Sequence, residues 1–215
     1  MTIPKTEREY RDMVLRIVEE DEEKRVTGYA STFNEPYVLW DDGEVRILEE
    51  VAPDAFDEAD MADVIMQYNH EGRVFARVSN GTLTVTPDEH GLLVDADLGG
   101  TELGRQLYEE IRGGYTDKMS FGFTVTGEEK LRQEETGEKP VVVTRRITKI
   151  GKLYDVSAVS LPANPNTAIS ARTKEFCDGV IAELAEECRE AEAAKHKEEL
   201  RAQLAQLLEE VKNHE

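Results

Sequence analysis

MSFGFTVT (residues 119–126) and VVVTRRITKI (residues 141–150) are the two stretches that decide the fold. Both are rich in aromatic and β-branched residues, which is typical of β-strands. The segment between them, residues 127–140, is strongly charged and predicts a long loop, so the two stretches are expected to form one hairpin. Residues 153–161 predict a last, separate strand that ends at Pro162-Ala163-Asn164-Pro165.

Shorter β-like runs fill the chain before this hairpin. The first two, joined by a charged turn, are residues 13–18 and 25–30, and the later ones are residues 45–51, 64–69, 74–78, 82–86 and 92–98. Asn80-Gly81 is the strongest short hairpin signal in the chain. It predicts that residues 74–78 pair with residues 82–86, which alternate polar and apolar side chains as a half-buried strand does.

Helices are predicted at few places in this β-rich region. Residues 54–59 follow Pro53 and suit a short helix with an acidic first turn. Thr101 can cap a longer helix over residues 102–111, which Gly113-Gly114 ends. Many strands with one or two helices indicate an α+β fold, in which an antiparallel sheet is closed into a barrel or strongly bent.

The chain is predicted to divide near residue 172 into a β-rich domain, residues 1–172, and a helical tail, residues 173–215. Apolar residues recur every three or four positions along the tail, which indicates a helix with one apolar stripe. The stripe weakens over residues 193–199, so a helical hairpin or a partner-binding segment is favoured over a long coiled coil. Cys177 and Cys188 would lie roughly 16 Å apart on such a helix, too far for a disulfide.

Composition excludes several function classes. Of 215 residues, 46 are acidic and 26 basic, a net charge of -20 that disfavours binding to nucleic acid or to anionic membranes. No run approaches the roughly 20 apolar residues of a membrane span, so we expect a soluble protein of a reducing compartment. The four histidines and two cysteines show no metal-ligand spacing, and no phosphate-binding loop is visible. We therefore predict no metal and no cofactor.

Three residues on separate predicted strands could together perform acyl transfer. His70 ends the run MQYNH, Ser120 opens the run SFGF, and Asp155 lies in the run LYDVS. A nucleophilic serine needs a general base within hydrogen-bond reach, and that base needs an acceptor that fixes its tautomer. The three can do this only if the fold brings their strands together.

Structural explanations of the same residues stay open at this point. His70 could be a surface histidine, and a serine within a strand is ordinary. Asp155 is more unusual, because burying a carboxylate in an apolar strand requires a partner. An ion pair with a nearby basic side chain would supply one, and the candidates are Arg145, Arg146 and Lys152.

Residues 14–171 resemble the prohead proteases of tailed bacteriophages of the HK97 type. The order and spacing of several short motifs carry this resemblance: GYASTFN (28–34), EVAPDAF (50–56), NH (69–70), GR (72–73), GR and LY (104–108), MSFGF (119–123), DVSAVS (155–160) and PANP (162–165). No single motif is specific, but the ordered set is.

The resemblance implies a fold similar to that of herpesvirus assembly proteases, an antiparallel β-barrel surrounded by helices. By position, His70 corresponds to the catalytic histidine, Ser120 to the nucleophile, and Asp155 to an acidic third member that is often Glu in the family. Backbone N–H groups, with those around Ala163 and Asn164 as candidates, would stabilise the oxyanion.

The implied function is a serine endopeptidase of capsid maturation, acting in the host cytoplasm inside the immature capsid. Its expected substrates and partners are the scaffold, the scaffold-like region of the major capsid protein and the protease itself, with self-association left open. Two alternatives remain: a catalytically inactive capsid-assembly or scaffold-binding module of the same fold, and an unrelated acidic β-barrel binding module.

Overall fold

The computed structural model describes residues 9–16, 24–132, 140–160 and 171–212. The chain divides into two compact units, Met1–Lys174 and Glu175–Glu215. The described part of the first unit is mostly β-structure. Its elements in chain order are β1 (Glu9–Arg16), β2 (Arg25–Thr32), β3 (Tyr37–Asp41), β4 (Val45–Val51), β5 (Ile65–Tyr68), β6 (Glu71–Arg77), β7 (Leu83–Pro87), β8 (Gly91–Asp97), helix α1 (Glu102–Arg112), β9 (Lys118–Arg132) and β10 (Val141–Val159).

One ten-stranded sheet contains all the strands. Its main path runs β3-β4-β10-β9-β1-β2-β8-β7, and a branch adds β5, which pairs with β10 and with β6. Among the described residues no pairing joins β3 to β7, so the sheet is an open path and the predicted closed barrel is not found. The predicted mixture of α and β structure, dominated by strands, is confirmed.

Strands β9 and β10 form a hairpin longer than the sequence predicts. The last six residues of β9 were expected to lie in the loop, but they pair with the first half of β10, so that Arg132 lies opposite Val143. The separate strand predicted over residues 153–161 is wrong, because β10 runs without a break through Gly151 to Val159. The pairing of β10 with β9 shifts register at several points between Ile147 and Asp155. Bulges of this kind let one long strand bend instead of ending.

Strand β10 is the centre of the sheet because it has partners along its whole length. Besides β9, its first half pairs in parallel with β4 and its second half pairs in parallel with β5. Since β5 carries the chain toward His70 and β9 begins near Ser120, this strand connects two of the regions that the sequence singled out. The N-terminal strand β1 lies on the far side of β9 and also pairs with β2, as the sequence predicts.

The hairpin predicted at Asn80-Gly81 is wrong. A single 3₁₀ turn covers Val78–Asn80, and Gly81 ends it in a left-handed conformation, with φ of 77°. Strand β6 pairs with β5, and β7 pairs with β8. Only Gly81 of the asparagine–glycine pair has positive φ, so the pair does not form the hairpin turn, which requires positive φ at both residues, and the chain continues to another part of the sheet.

Of the two helices predicted in the β-rich region, only the second forms. Residues 54–59 make a series of turns, and the carbonyl of Ala55 accepts from the backbone N–H of Ile150 at 2.8 Å, outside the segment. Helix α1 forms as predicted, and the Thr101 hydroxyl accepts from the N–H of Gly104 at 2.9 Å. Leu107 and Ile111 of this helix are buried, whereas Leu103 is 37% exposed.

The second unit consists of helix α2 (Ala171–Lys212), whose first residues belong to the first unit. It is one continuous helix, so the predicted helical hairpin is wrong. Residues 193–199 lack an apolar stripe but also lack glycine and proline, and their alanines, lysines and glutamates favour helix. Both cysteines lie on α2, eleven residues apart, where the rise of a helix prevents a bridge. Within the described residues, neither helix has the length and apolar character that crossing a membrane requires.

Candidate active site

His70 is presented by the tight turn between β5 and β6. Tyr68 pairs with Glu71, so Asn69 and His70 are the two central residues of a hairpin turn. Both have positive φ, 49° and 58° respectively. This is the pattern of a type I′ turn, and asparagine and histidine are among the residues that tolerate it best. The sequence analysis placed His70 at a strand end but did not predict this turn.

Asn69 fastens the turn to the end of β10. Its backbone N–H donates to the carbonyl of Ala158 at 2.9 Å, and its side-chain Oδ1 accepts from the N–H of Ser160 at 3.1 Å. These bonds join the residue before His70 to the strand that carries Asp155. The position of the imidazole relative to that strand is therefore set by the backbone.

His70 and Asp155 are in direct contact. His70 Nδ1 lies 2.5 Å from Asp155 Oδ1, and the Asp155 side chain is almost fully buried. An ionised carboxylate only accepts hydrogen bonds, so Nδ1 carries the proton and Nε2, which is also buried, is left as the basic nitrogen. A carboxylate that holds the imidazole by Nδ1 is what general-base catalysis by Nε2 requires.

The three basic side chains that could have paired with Asp155 are engaged elsewhere. Arg145 donates to Glu9, Glu49 and Glu128; Arg146 donates to Glu50; Lys152 donates to Asp60. The alternative explanation of Asp155, a structural ion pair with one of these three, is therefore wrong. The partner that the buried carboxylate requires is His70.

Ser120 lies on β9, beside β10 and close to Asp155 in register. Its Cα partner on β10 is Ser157, and the partner of Asp155 on β9 is Gly122, two residues from Ser120. Residues two apart on a strand share a face, and diagonal neighbours across a pair lie about 7–8 Å apart. That separation suits a serine and an aspartate with an imidazole between them.

The hydrogen bond between Ser120 and His70 is not formed. Ser120 is fully buried, and its Oγ makes no hydrogen bond within the described residues. The structure thus brings His70 and Asp155 into contact and places Ser120 on the adjoining strand, without completing the chain of hydrogen bonds. Hydrogen bonds of catalytic groups are often long or poorly aligned without substrate.

Ser157 belongs to the same cluster, although the sequence analysis gave it no role. It is fully buried, and its Oγ donates to Asp155 Oδ1 at 2.9 Å. The spacing of Asp155 and Ser157 was a usable signal, because residues two apart on a strand point to the same side. Ala163 and Asn164, the candidate oxyanion region, lie outside the described residues.

A buried ionic cluster lies elsewhere in the sheet. Arg145 is fully buried and contacts Glu9 of β1, Glu49 of β4 and Glu128 of β9 at 2.5–3.0 Å. Burial opposes the charge of the guanidinium, but the three carboxylates outweigh burial and raise the pKa of Arg145 above its usual value. Because its members come from four strands, this cluster ties β1 and β4 to the central hairpin.

Nothing in the described residues resembles a metal centre: no three His, Cys, Asp or Glu side chains are grouped to hold an ion. The contact between His70 and Asp155, beside a strand that carries a serine, is an arrangement that can support proton transfer and nucleophilic attack by a serine hydroxyl.

Comparisons with known proteins agree with this chemistry. The profile of a family described as caudovirus prohead serine protease matches residues 11–178, more than three quarters of the chain and including His70, Ser120 and Asp155. No curated protein and no solved structure matches. The match covers the sheet from β1 to β10, and the chain therefore belongs to the caudovirus prohead serine protease family.

Proposed function

We propose that the chain is a serine endopeptidase that cleaves the scaffold, or the scaffold-like region of the major capsid protein, during prohead maturation, and also cleaves itself. The observation that carries this proposal is the contact of 2.5 Å between His70 Nδ1 and Asp155 Oδ1 next to the strand that bears Ser120. A half-buried histidine held by a buried aspartate, beside a buried serine, has little use in a purely structural sheet.

In the proposed mechanism Ser120 is the nucleophile, His70 the general base and Asp155 the acceptor that orients the imidazole. Nε2 of His70 takes the hydroxyl proton as Ser120 Oγ attacks the peptide carbonyl, and the imidazolium is stabilised by Asp155. His70 then gives the proton to the leaving amine, the C–N bond breaks, and an acyl-enzyme remains. Water, deprotonated by His70, hydrolyses the ester and restores Ser120.

Formation of the Ser120–His70 hydrogen bond is a step of this mechanism. Ser120 Oγ is buried, so a peptide reaches it only after the site opens. Binding of the substrate would supply the rearrangement and align Oγ with Nε2. We propose as well that the sheet corresponds to the barrel of the herpesvirus assembly proteases, with β3 and β7 left apart.

The test is co-expression of the full chain with its cognate capsid and scaffold proteins. Wild type should produce cleaved capsid protein or scaffold, and Ser120→Ala should produce none. Ser31→Ala is a matched control, because Ser31 is also buried in a strand, β2, and bonds only weakly to a neighbouring carbonyl. Cleavage that persists unchanged in Ser120→Ala would show that another residue is the nucleophile.

One observation favours the second candidate, an inactive capsid-assembly or scaffold-binding module. The Oγ of Ser120 is buried and makes no hydrogen bond within the described residues, as expected if it never reacts. On this alternative, wild type binds scaffold or capsid protein in the same co-expression but leaves them uncleaved, and Ser120→Ala binds equally well.

We propose that helix α2 docks on helical scaffold or is removed by self-cleavage, and that the protein acts inside the prohead in the host cytoplasm. At 42 residues the helix is about 63 Å long, enough to offer an extended surface to a partner helix. Deleting residues 173–215 should reduce incorporation into proheads. Normal incorporation of the deleted protein would contradict the docking role.

A further inference from the structure

Ser157 makes a contact that the proposed mechanism does not use. Its hydroxyl donates to Asp155 Oδ1 at 2.9 Å, and the same oxygen receives His70 Nδ1 at 2.5 Å. Asp155 Oδ1 is therefore held between two donors that approach from different elements, β10 itself and the β5–β6 turn. Ser157 is fully buried, so water does not compete for this bond.

We infer that Ser157 is a positioning residue, which acts on the reaction by holding the carboxylate of Asp155 in the orientation that His70 requires. This inference rests on the proposed function, because it assumes that His70 is the general base. It concerns a residue that touches neither the substrate nor the reacting atoms.

The physical reason lies in the burial of Asp155. An ionised carboxylate that is 2% exposed needs donors in place of water, and every donor it has also restricts its rotation. With Ser157 in place, the side chain of Asp155 meets both donors in one rotamer. Without it, the carboxylate can turn about its terminal bond, and the imidazole loses its fixed orientation.

Ser157 is also the cross-strand partner of Ser120, which raises the question of whether it could be the nucleophile. The hydroxyl of Ser157 donates to Asp155, the carboxylate that also binds His70 Nδ1. We therefore do not assign Ser157 Oγ as the oxygen that His70 Nε2 deprotonates. Identifying the modified residue after labelling with a fluorophosphonate reagent separates the two serines directly. Labelling on Ser157 would overturn the positioning role.

The variants are chosen so that volume and hydrogen bonding are tested separately. Ser157→Ala removes the hydroxyl alone. Ser157→Thr and Ser157→Val have nearly equal shapes, but only threonine keeps a hydroxyl. If packing matters, both variants should react more slowly than wild type. If the hydrogen bond matters, only Ser157→Val should. Ser31→Ala, the buried serine of β2, is the control for removing a strand hydroxyl outside the site.

The first measurement is the rate at which a fluorophosphonate modifies Ser120 in the full chain. We expect Ser157→Ala and Ser157→Val to react about ten- to a hundredfold more slowly than wild type, with Ser157→Thr restored to within a few fold. In an Asp155→Ala background, Ser157→Ala should cause no further loss, because it acts only through Asp155. Additive losses, or equal rates for Ser157→Thr and Ser157→Val, would overturn the inference.

The second measurement does not depend on catalysis. The Nδ1 proton of His70 should give a resolved NMR signal, which is assigned by its absence in His70→Gln. The signal should broaden or disappear in Ser157→Ala and Ser157→Val and survive in Ser157→Thr and Ser31→Ala. An unchanged signal in Ser157→Val would overturn the inference. If the variants show this pattern but Ser120 is never modified, the protease proposal fails, and with it the effect on the reaction, while the contact by which Ser157 orients Asp155 and His70 stands.

Discussion

Replacing Arg145 by methionine should destabilise the sheet unit severely. The guanidinium and two of its partners, Glu9 and Glu49, are fully buried, and Glu128 completes the cluster. Removing the guanidinium leaves Glu9 and Glu49 without this cation at a place that water does not reach. Breaking a buried pair in this way costs about 3–5 kcal/mol of unfolding free energy. For a domain of this size that corresponds to a melting temperature lower by roughly 6–20 °C.

The neighbouring arginine provides a matched control. Arg146 also donates to a glutamate, Glu50, but its side chain is 27% exposed. Water can therefore solvate Glu50 when the arginine is lost, and Arg146→Met should cost only about 1 kcal/mol. The comparison holds residue type, strand and sequence neighbourhood nearly constant and varies burial.

The assay is urea denaturation followed by the fluorescence of Trp40, the single tryptophan, which lies on β3 next to β4. The signal reports the sheet and not helix α2. Both arginine variants are made in a Ser120→Ala background, so that self-cleavage does not distort the curves. Equal losses of unfolding free energy in Arg145→Met and Arg146→Met would refute the reasoning.

Three further predictions concern the turn, the packing and the acid stability of the sheet. Asn69→Ala should slow modification of Ser120 by about tenfold, because the turn loses the side-chain bond from Asn69 Oδ1 to the N–H of Ser160, just after β10, and Asn69→Asp, which keeps that acceptor, should slow it less. Gly91→Ala would place a Cβ 2.0 Å from a backbone oxygen and should cost about 1–3 kcal/mol in urea denaturation, whereas Gly100→Ala, in open space, should cost under about 0.5 kcal/mol. The hydrogen bond from Arg77 holds the pKa of Asp63 well below its usual value, so Asp63→Asn should be less stable than wild type at neutral pH. That difference should vanish in acid melts well below about pH 4, because the contribution is lost as the pH falls through the range of Asp63; a constant difference would contradict this.

Local signals in the sequence were reliable where the structure depends on neighbours along the chain. Thr101 predicts the start of α1 because an N-cap acts on residues two or three positions away, and the bond to Gly104 confirms it. The β-rich composition of residues 119–126 predicts β9 for the same reason. The ordered motifs were enough to indicate the family.

Pairing between strands was less predictable, because it depends on contacts between distant parts of the chain. Asn80-Gly81 favours a hairpin, yet Asn80 lies in a 3₁₀ turn, and β6 pairs with β5, which precedes it, through the Asn69-His70 turn. A two-residue turn with histidine at positive φ is a weak signal in sequence. It becomes stable here because Asn69 is bonded to β10.

The sequence by itself determined that this chain is an acidic, strand-rich protein with a helical tail and with His70, Ser120 and Asp155 as its candidate reactive residues. The contact of Asp155 with His70, instead of with a nearby arginine or lysine, and the bond from Ser157 depend on how the strands come together in the fold. The physical reason is that a buried carboxylate takes whichever donors the fold brings within hydrogen-bond distance. Those donors come from residues 85 positions away and two positions away along the chain.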